Sequence, residues 1–137
     1  MTCITVGLGD RSYEIAIESG ALARAGSLLD RFAPNRRLAI IADENVAPTH
    51  LVTLRSSLTA AGIEIETIVL PAGESTKSWN HLESLTDRLL EVGIERGEHI
   101  VALGGGVIGD LTGFAAAILK RGCGFVQIPT TLLAQVD

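Results

Sequence analysis

A chain of 137 residues with 47% apolar side chains has enough material for one domain with its own core and is too apolar to be a disordered segment. Its net charge of −5 excludes a general affinity for nucleic acid or for an anionic membrane surface. No apolar run is long enough to cross a bilayer and no basic-then-apolar leader follows Met1, so a cytoplasmic setting is expected. Cys3 and Cys123 form no CxxC pair, which fits two idle or buried thiols in a reducing compartment. His50, His81 and His99 lack the helical spacing of a metal-ligand cluster.

In chain order, Cys3 to Leu8 and Ser12 to Ile17 read as two short strands joined at Gly9-Asp10. Ala21 to Phe32 has helical spacing and stops before Pro34. Arg37 to Ala42 is an apolar strand. Val46 to Ala61 reads as a helix with Pro48 in its first turn and Gly62 as its stop. Glu64 to Leu70 alternates as a strand does, and Ser78 to Val92 is an amphipathic helix closed by Gly93. Then come the strand His99 to Leu103, a helix running to Lys120, the strand Phe125 to Ile128 and a last helix beginning near Thr130. This alternation predicts an α/β fold, a Rossmann-like parallel sheet with helices on both faces, preceded by a short N-terminal β-hairpin. In such sheets ligands sit at the C-terminal ends of the strands, which selects the loops beginning at Asp43, Pro71, Gly104 and Pro129.

Of these, the loop within Leu103-Gly104-Gly105-Gly106-Val107-Ile108-Gly109-Asp110 carries the most functional information. A strand, three glycines and a helix start bring bare backbone N–H groups and a partial positive charge to one point, where a phosphate binds well. Gly104 to Gly109 fits G-x-G-x-x-G, but the acid that should hold a ribose about 20 residues later is missing from Phe125 to Pro129. Asp43, at the end of an earlier strand, can supply it; capping of the next helix by Asp43 or Asn45 explains those residues equally well. Glu74 and Lys77 lie in a loop that is not a P-loop and read either as a solvated turn or as groups reaching over a nucleotide. Asp110 either complements its helix dipole or binds a hydroxyl. Arg121 either closes a helix or clamps an anion, and Thr130 or Thr131 either caps the last helix or faces a ligand.

Together these segments resemble the 3-dehydroquinate synthase family, above all in Gly104 to Ala116, Arg121-Gly122 and Gln127 to Asp137, with Asp43-Glu44-Asn45-Val46 and Gly73-Glu74 to Lys77 in the expected order. The resemblance implies an enzyme that uses NAD as a true catalyst. It oxidises a hydroxyl of 3-deoxy-arabino-heptulosonate 7-phosphate, eliminates phosphate from the acidified neighbour, reduces the ketone again and closes the ring to 3-dehydroquinate. That step belongs to the shikimate pathway of aromatic amino acid biosynthesis, and a divalent metal, zinc or cobalt, polarises the hydroxyl. It implies that Asp43 and Asn45 contact the adenosine half of NAD and that Glu74 and Lys77 hold the nucleotide. Gly105, Gly106 and Val107 would lie along the pyrophosphate, with Gly109 in the same turn, and Asp110, Thr130, Thr131 and Leu133 would line the nicotinamide side. Arg121 and Asp137 would face the substrate as catalytic residues, Arg121 in a homodimer partner's site.

The resemblance covers nearly the whole chain but only the N-terminal, NAD-binding domain of the family's proteins. The metal ligands and the remaining substrate residues are expected beyond Asp137, in a C-terminal domain absent from this chain, so residues 1–137 alone are expected to bind nucleotide without turnover. One departure is local: the aromatic residue often found before the lysine is Thr76 here. The alternatives are another sugar-phosphate cyclase of the same superfamily, a metal-dependent alcohol dehydrogenase of the glycerol type, and a stand-alone nucleotide-binding or assembly module.

Overall fold

The computed structural model describes residues 2–119 and 123–136. Four apolar segments become the parallel strands β3 (Arg37–Asp43), β4 (Glu64–Leu70), β5 (His99–Gly104) and β6 (Gly124–Pro129), in the order β4-β3-β5-β6. Strands β3 and β5 are buried along almost their whole length, as expected for central strands covered on both faces. The hairpin β1 (Thr2–Val6) and β2 (Tyr13–Ile17) is a separate antiparallel pair with mostly exposed side chains. Its connection contains a 3₁₀ turn at Gly9–Arg11 and is thus longer than the expected two-residue turn. Cys3 lies on it, exposed and free, and its hydrogen bond to Glu14 pushes the thiol pKa up; Cys123 is half-buried and also free.

Helices cover both faces. On one, α1 (Ala25–Leu28) and α2 (Val52–Ala60) pack Leu54 and Leu58 against Leu38, Ile40, Val101 and Leu103. On the other, α3 (Trp79–Val92) and α4 (Gly106–Ile118) pack Leu85, Leu89, Ile108 and Ala115 against Ile41, Ile68 and Ile100. The short α5 (Leu132–Val136) follows β6. Because side chains alternate along a strand, β3 and β5 each supply both cores. Helix α3 has clear stop signals: Ser78 Oγ accepts from His81 N at its start, and Gly93 at φ 79° ends it.

Two expected helices are irregular. Ala21 to Phe32 is not one helix but a 3₁₀ turn (Ala21–Arg24), α1, and a second 3₁₀ turn (Asp30–Phe32). The middle of this segment packs closely on α2: a Cβ at Gly26 would lie 2.7 Å from Ser57 O and 2.8 Å from the Ala61 Cβ, and Gly26 N donates to Ser57 Oγ at 2.9 Å. The helix expected from Val46 begins with a π turn at Ala47–Leu51, in which Leu51 N donates to Val46 O at 3.2 Å around Pro48.

At the N-terminal edge of the sheet, Arg37 donates two hydrogen bonds to Glu98, Nε to Oε2 at 2.6 Å and Nη2 to Oε1 at 2.5 Å. The same guanidinium donates to Val92 O and Gly93 O, the carbonyls at the end of α3, and Glu95 N donates to Glu98 Oε1 at 2.8 Å. Strand β3, the end of α3 and the entry to β5 are thus tied at one point. Glu98 is 1% exposed, and Arg37 holds its carboxyl at about 2 against an ordinary 4.5, with burial opposing.

A carboxyl depressed in this way contributes its stability above about pH 4.5 and loses it as pH falls towards 2. Glu98→Gln is expected to cost about 2–3 kcal/mol at neutral pH, below a fully buried pair because Arg37 is 34% exposed, and to flatten the acid limb; urea titrations at pH 7 and pH 3 check both. Gly26→Ala, which improves helix propensity, is expected to destabilise by about 1–3 kcal/mol because α1 must move off α2; the urea midpoint measures it.

Candidate functional site

Each strand ends at the same level. Asp43 pairs with Leu70, Ala42 with Leu103, and Gly104 with Pro129, so the loops after β3, β4, β5 and β6 leave one edge of the sheet side by side. The chain leaves β3 towards β4 on one side and returns to β5 on the other. The strand order therefore reverses between β3 and β5, which places a crevice between the Asp43 loop and the glycine turn.

The glycine turn is short: β5 ends at Gly104 and α4 begins at Gly106. None of Gly104, Gly105 and Gly106 has a positive φ, so a sharp left-handed turn is not what these glycines supply. Space is. A Cβ at Gly104 would lie 2.9 Å from the Ile108 Cβ, and one at Gly105 would lie 3.2 Å from Thr131 Cγ2. Among the described residues Gly106 has nothing within 4 Å on its Cβ side, so neither backbone conformation nor packing against them requires a glycine there. The first turn of α4 also leaves its N–H groups without helical partners, and Gly105 contributes no side-chain cap.

The residues singled out from the sequence fall into three groups around this turn. Asp43 Oδ1 accepts from Asn45 N at 2.8 Å and Val46 N at 3.0 Å, which makes the carboxylate the cap of its own loop. Glu44 ties that loop to the next one, donating its N–H to Leu70 O and accepting from Ala72 N at 3.3 Å. In the second group, Lys77 Nζ lies 2.9 Å from Asp110 Oδ2 and 3.4 Å from Glu74 Oε1, so the loop after β4 is bridged to the first turn of α4. The hydrogen bond from Lys77 to Asp110 raises the lysine pKa. In the third group, Thr130 N donates to Gly104 O, and Thr131 Oγ1 accepts from Ala134 N at 3.1 Å as the cap of α5. Val107 is half-buried; Leu133 on α5 is exposed. Gly109 is buried, and a Cβ there would meet Gln127 Nε2 at 2.8 Å. Arg121 and Asp137 lie outside the described residues.

Sequence reasoning passed over three contributors. Trp79, the first residue of α3, is 78% exposed and sits edge-on to Phe114 of α4, with ring centroids 6.3 Å apart. With Leu82 and Leu111 they line an open depression of about 280 Å³, whose polar rim includes Lys77 and Asp110. Thr76 is fully buried and donates from Oγ1 to Pro71 O at 2.6 Å. In sequence these residues read as a lone tryptophan, a helix phenylalanine and a loop threonine; only the approach of α3 to α4 joins the two rings. Among the described residues no group of three or more His, Cys, Asp or Glu side chains is placed to hold a metal ion, and no helix is long and apolar enough to cross a membrane.

The architecture and sequence have clear relatives. The family described as 3-dehydroquinate synthase N-terminal matches residues 67–137. The chain is 55% identical over 134 residues to a 3-dehydroquinate synthase of Mesorhizobium japonicum, covering 98% of this chain and 35% of that protein. A solved 2-deoxy-scyllo-inosose synthase complexed with carbaglucose-6-phosphate, NAD+ and Co2+ superposes with a TM-score of 0.86 at 26% identity, covering 99% of this chain and 37% of the other. The 2-epi-5-epi-valiolone synthase of Streptomyces hygroscopicus subsp. jinggangensis, solved with NAD+ and Zn2+, superposes with a TM-score of 0.83 at 29% identity, covering 96% and 36%. This chain thus spans about a third of the length of these relatives. With the family match covering more than half of its residues, the chain belongs to the 3-dehydroquinate synthase N-terminal family.

Proposed function

We propose that this chain is the NAD-binding unit of a 3-dehydroquinate synthase, with the pyrophosphate lying on the turn from Gly105 to Val107. The observation that carries the reading is Gly106. It is a glycine that the fold itself does not need, at the uncapped start of a 13-residue helix, with open space where its side chain would be. Two solved relatives holding NAD+ support the choice of ligand. Bound there, NAD would supply a reversible hydride acceptor. The chain's own residues would hold it: helix N–H groups and Lys77 on the phosphates, Asp43 and Asn45 near the adenosine, Asp110, Thr130 and Thr131 towards the nicotinamide. Glu74 would pair with Lys77, whose Nζ lies 3.4 Å from its Oε1.

The substrate we assign is 3-deoxy-arabino-heptulosonate 7-phosphate, because the relative at 55% identity carries the 3-dehydroquinate synthase name while the other cyclases stand at 26–29%. In this reading the protein serves aromatic amino acid biosynthesis in the cytoplasm as a homodimer, with Arg121 and Asp137 towards the substrate. Zinc or cobalt, implied by the family reading and bound in two solved relatives, would polarise the hydroxyl being oxidised. Residues 1–137 form the nucleotide-binding part, and alone they bind without turnover.

Calorimetric titration of NAD+ into the 137-residue chain is expected to give saturable sub-millimolar binding. Gly106→Val, which fills the open position, is expected to weaken it by about tenfold or more while leaving the melting temperature within a few degrees. No detectable binding at millimolar NAD+ overturns the reading. Supplied with substrate, NAD+ and Co2+ or Zn2+, the same chain is expected to release no phosphate above background, and robust release refutes the assignment of a binding unit alone.

A further inference from the structure

Among the described residues, Lys77 is the cation paired with α4 at the glycine turn, through Asp110. Lys77 has φ −76° and ψ 77°, and Ser78 N donates to Thr76 O at 2.9 Å across it. These are the marks of an inverse γ-turn with Lys77 at its centre. On its C-terminal side the turn runs directly into the Ser78 cap of α3. On its N-terminal side Thr76 is fully buried, its hydroxyl donating to Pro71 O at 2.6 Å and its N–H to Gly73 O at 3.1 Å. Pro71 itself follows directly on Leu70, the last residue of β4, so the hydroxyl ties the turn to the sheet. The lysine is 41% exposed, has a long flexible side chain and lies 2.9 Å from Asp110, an arrangement that a mobile loop would not hold.

We propose that Thr76 is a positioning residue, whose buried hydroxyl holds the γ-turn so that the Lys77 ammonium stands over the first turn of α4, where it meets an anionic ligand. Valine at this position keeps the shape of the side chain and leaves Pro71 O without its donor; serine keeps the donor. As far as it concerns ligand binding, the proposal rests on the NAD reading above; as far as it concerns the Lys77–Asp110 pair, it does not.

The test compares the 137-residue chain with Thr76→Val and Thr76→Ser by two readouts. NMR titration of the Lys77 side chain reports the pair directly. The parent and Thr76→Ser are expected to titrate above the ordinary lysine range, and Thr76→Val to return towards it, with chain-wide amide spectra showing that all three fold. NAD+ titration is expected to show about tenfold weaker binding for Thr76→Val, recovery in Thr76→Ser, and a Thr76→Val effect under about twofold when Lys77→Met is already present. An unchanged Lys77 titration in folded Thr76→Val overturns the proposal, as does an equal loss of affinity with and without the lysine. If no variant binds NAD+, the nucleotide reading falls alone and the Lys77 titration still decides the role of Thr76. If Thr76→Val does not fold, Thr76→Ala under the same two readouts takes its place.

Discussion

The site depends on how abruptly β5 becomes α4. Gly104 ends the strand and Gly106 begins the helix, and this is possible because Gly104 has no side chain: a Cβ there would lie 2.9 Å from the Ile108 Cβ. A longer connection would let the helix drift from the sheet edge. With this one, the uncapped N–H groups of α4 stand at the level where β3, β4 and β6 also end. Ile108 meanwhile enters the core beside Ile100 and Ile41, so the packing that stabilises the domain also aims the helix.

Two poles of the sheet divide the work. At the N-terminal edge, Arg37 and the buried Glu98 satisfy one another, and Arg37 also donates to the last carbonyls of α3. At the C-terminal edge, polar groups are only partly matched within the chain. Asp110 and Glu74 are more than half exposed, the start of α4 carries no side-chain cap, and Trp79 stands largely in solvent. Matched polar groups hold a fold, whereas exposed and open ones are available to a ligand. The asymmetry points the same way as the strand-order reversal between β3 and β5.

Some residues that hold the fold also stand at the candidate site. Asp43 caps its own loop through Oδ1, and Thr131 caps α5 while its methyl group touches the space above Gly105. For these the capping explanation and the ligand explanation were never exclusive. A loop at a ligand-bearing edge has to be held still, and a side chain that holds it is already where the ligand arrives.

Period and composition alone determined much. The four parallel strands, the amphipathic α3 with its Ser78 and Gly93 boundaries and the glycine turn between β5 and α4 were all legible, because strand and helix periods and stop residues are local properties. The division of Ala21 to Phe32 into two 3₁₀ turns and α1 was not, nor was the close approach of Gly26 to α2, 31 residues away. The burial of Thr76, the Lys77–Asp110 bridge across 33 residues and the meeting of Trp79 with Phe114 were likewise hidden. Each joins segments distant in the chain, so no local pattern announces it. The sequence determined which residues could form a site at the strand ends; which of them meet was decided only when the parallel sheet brought those ends to one level.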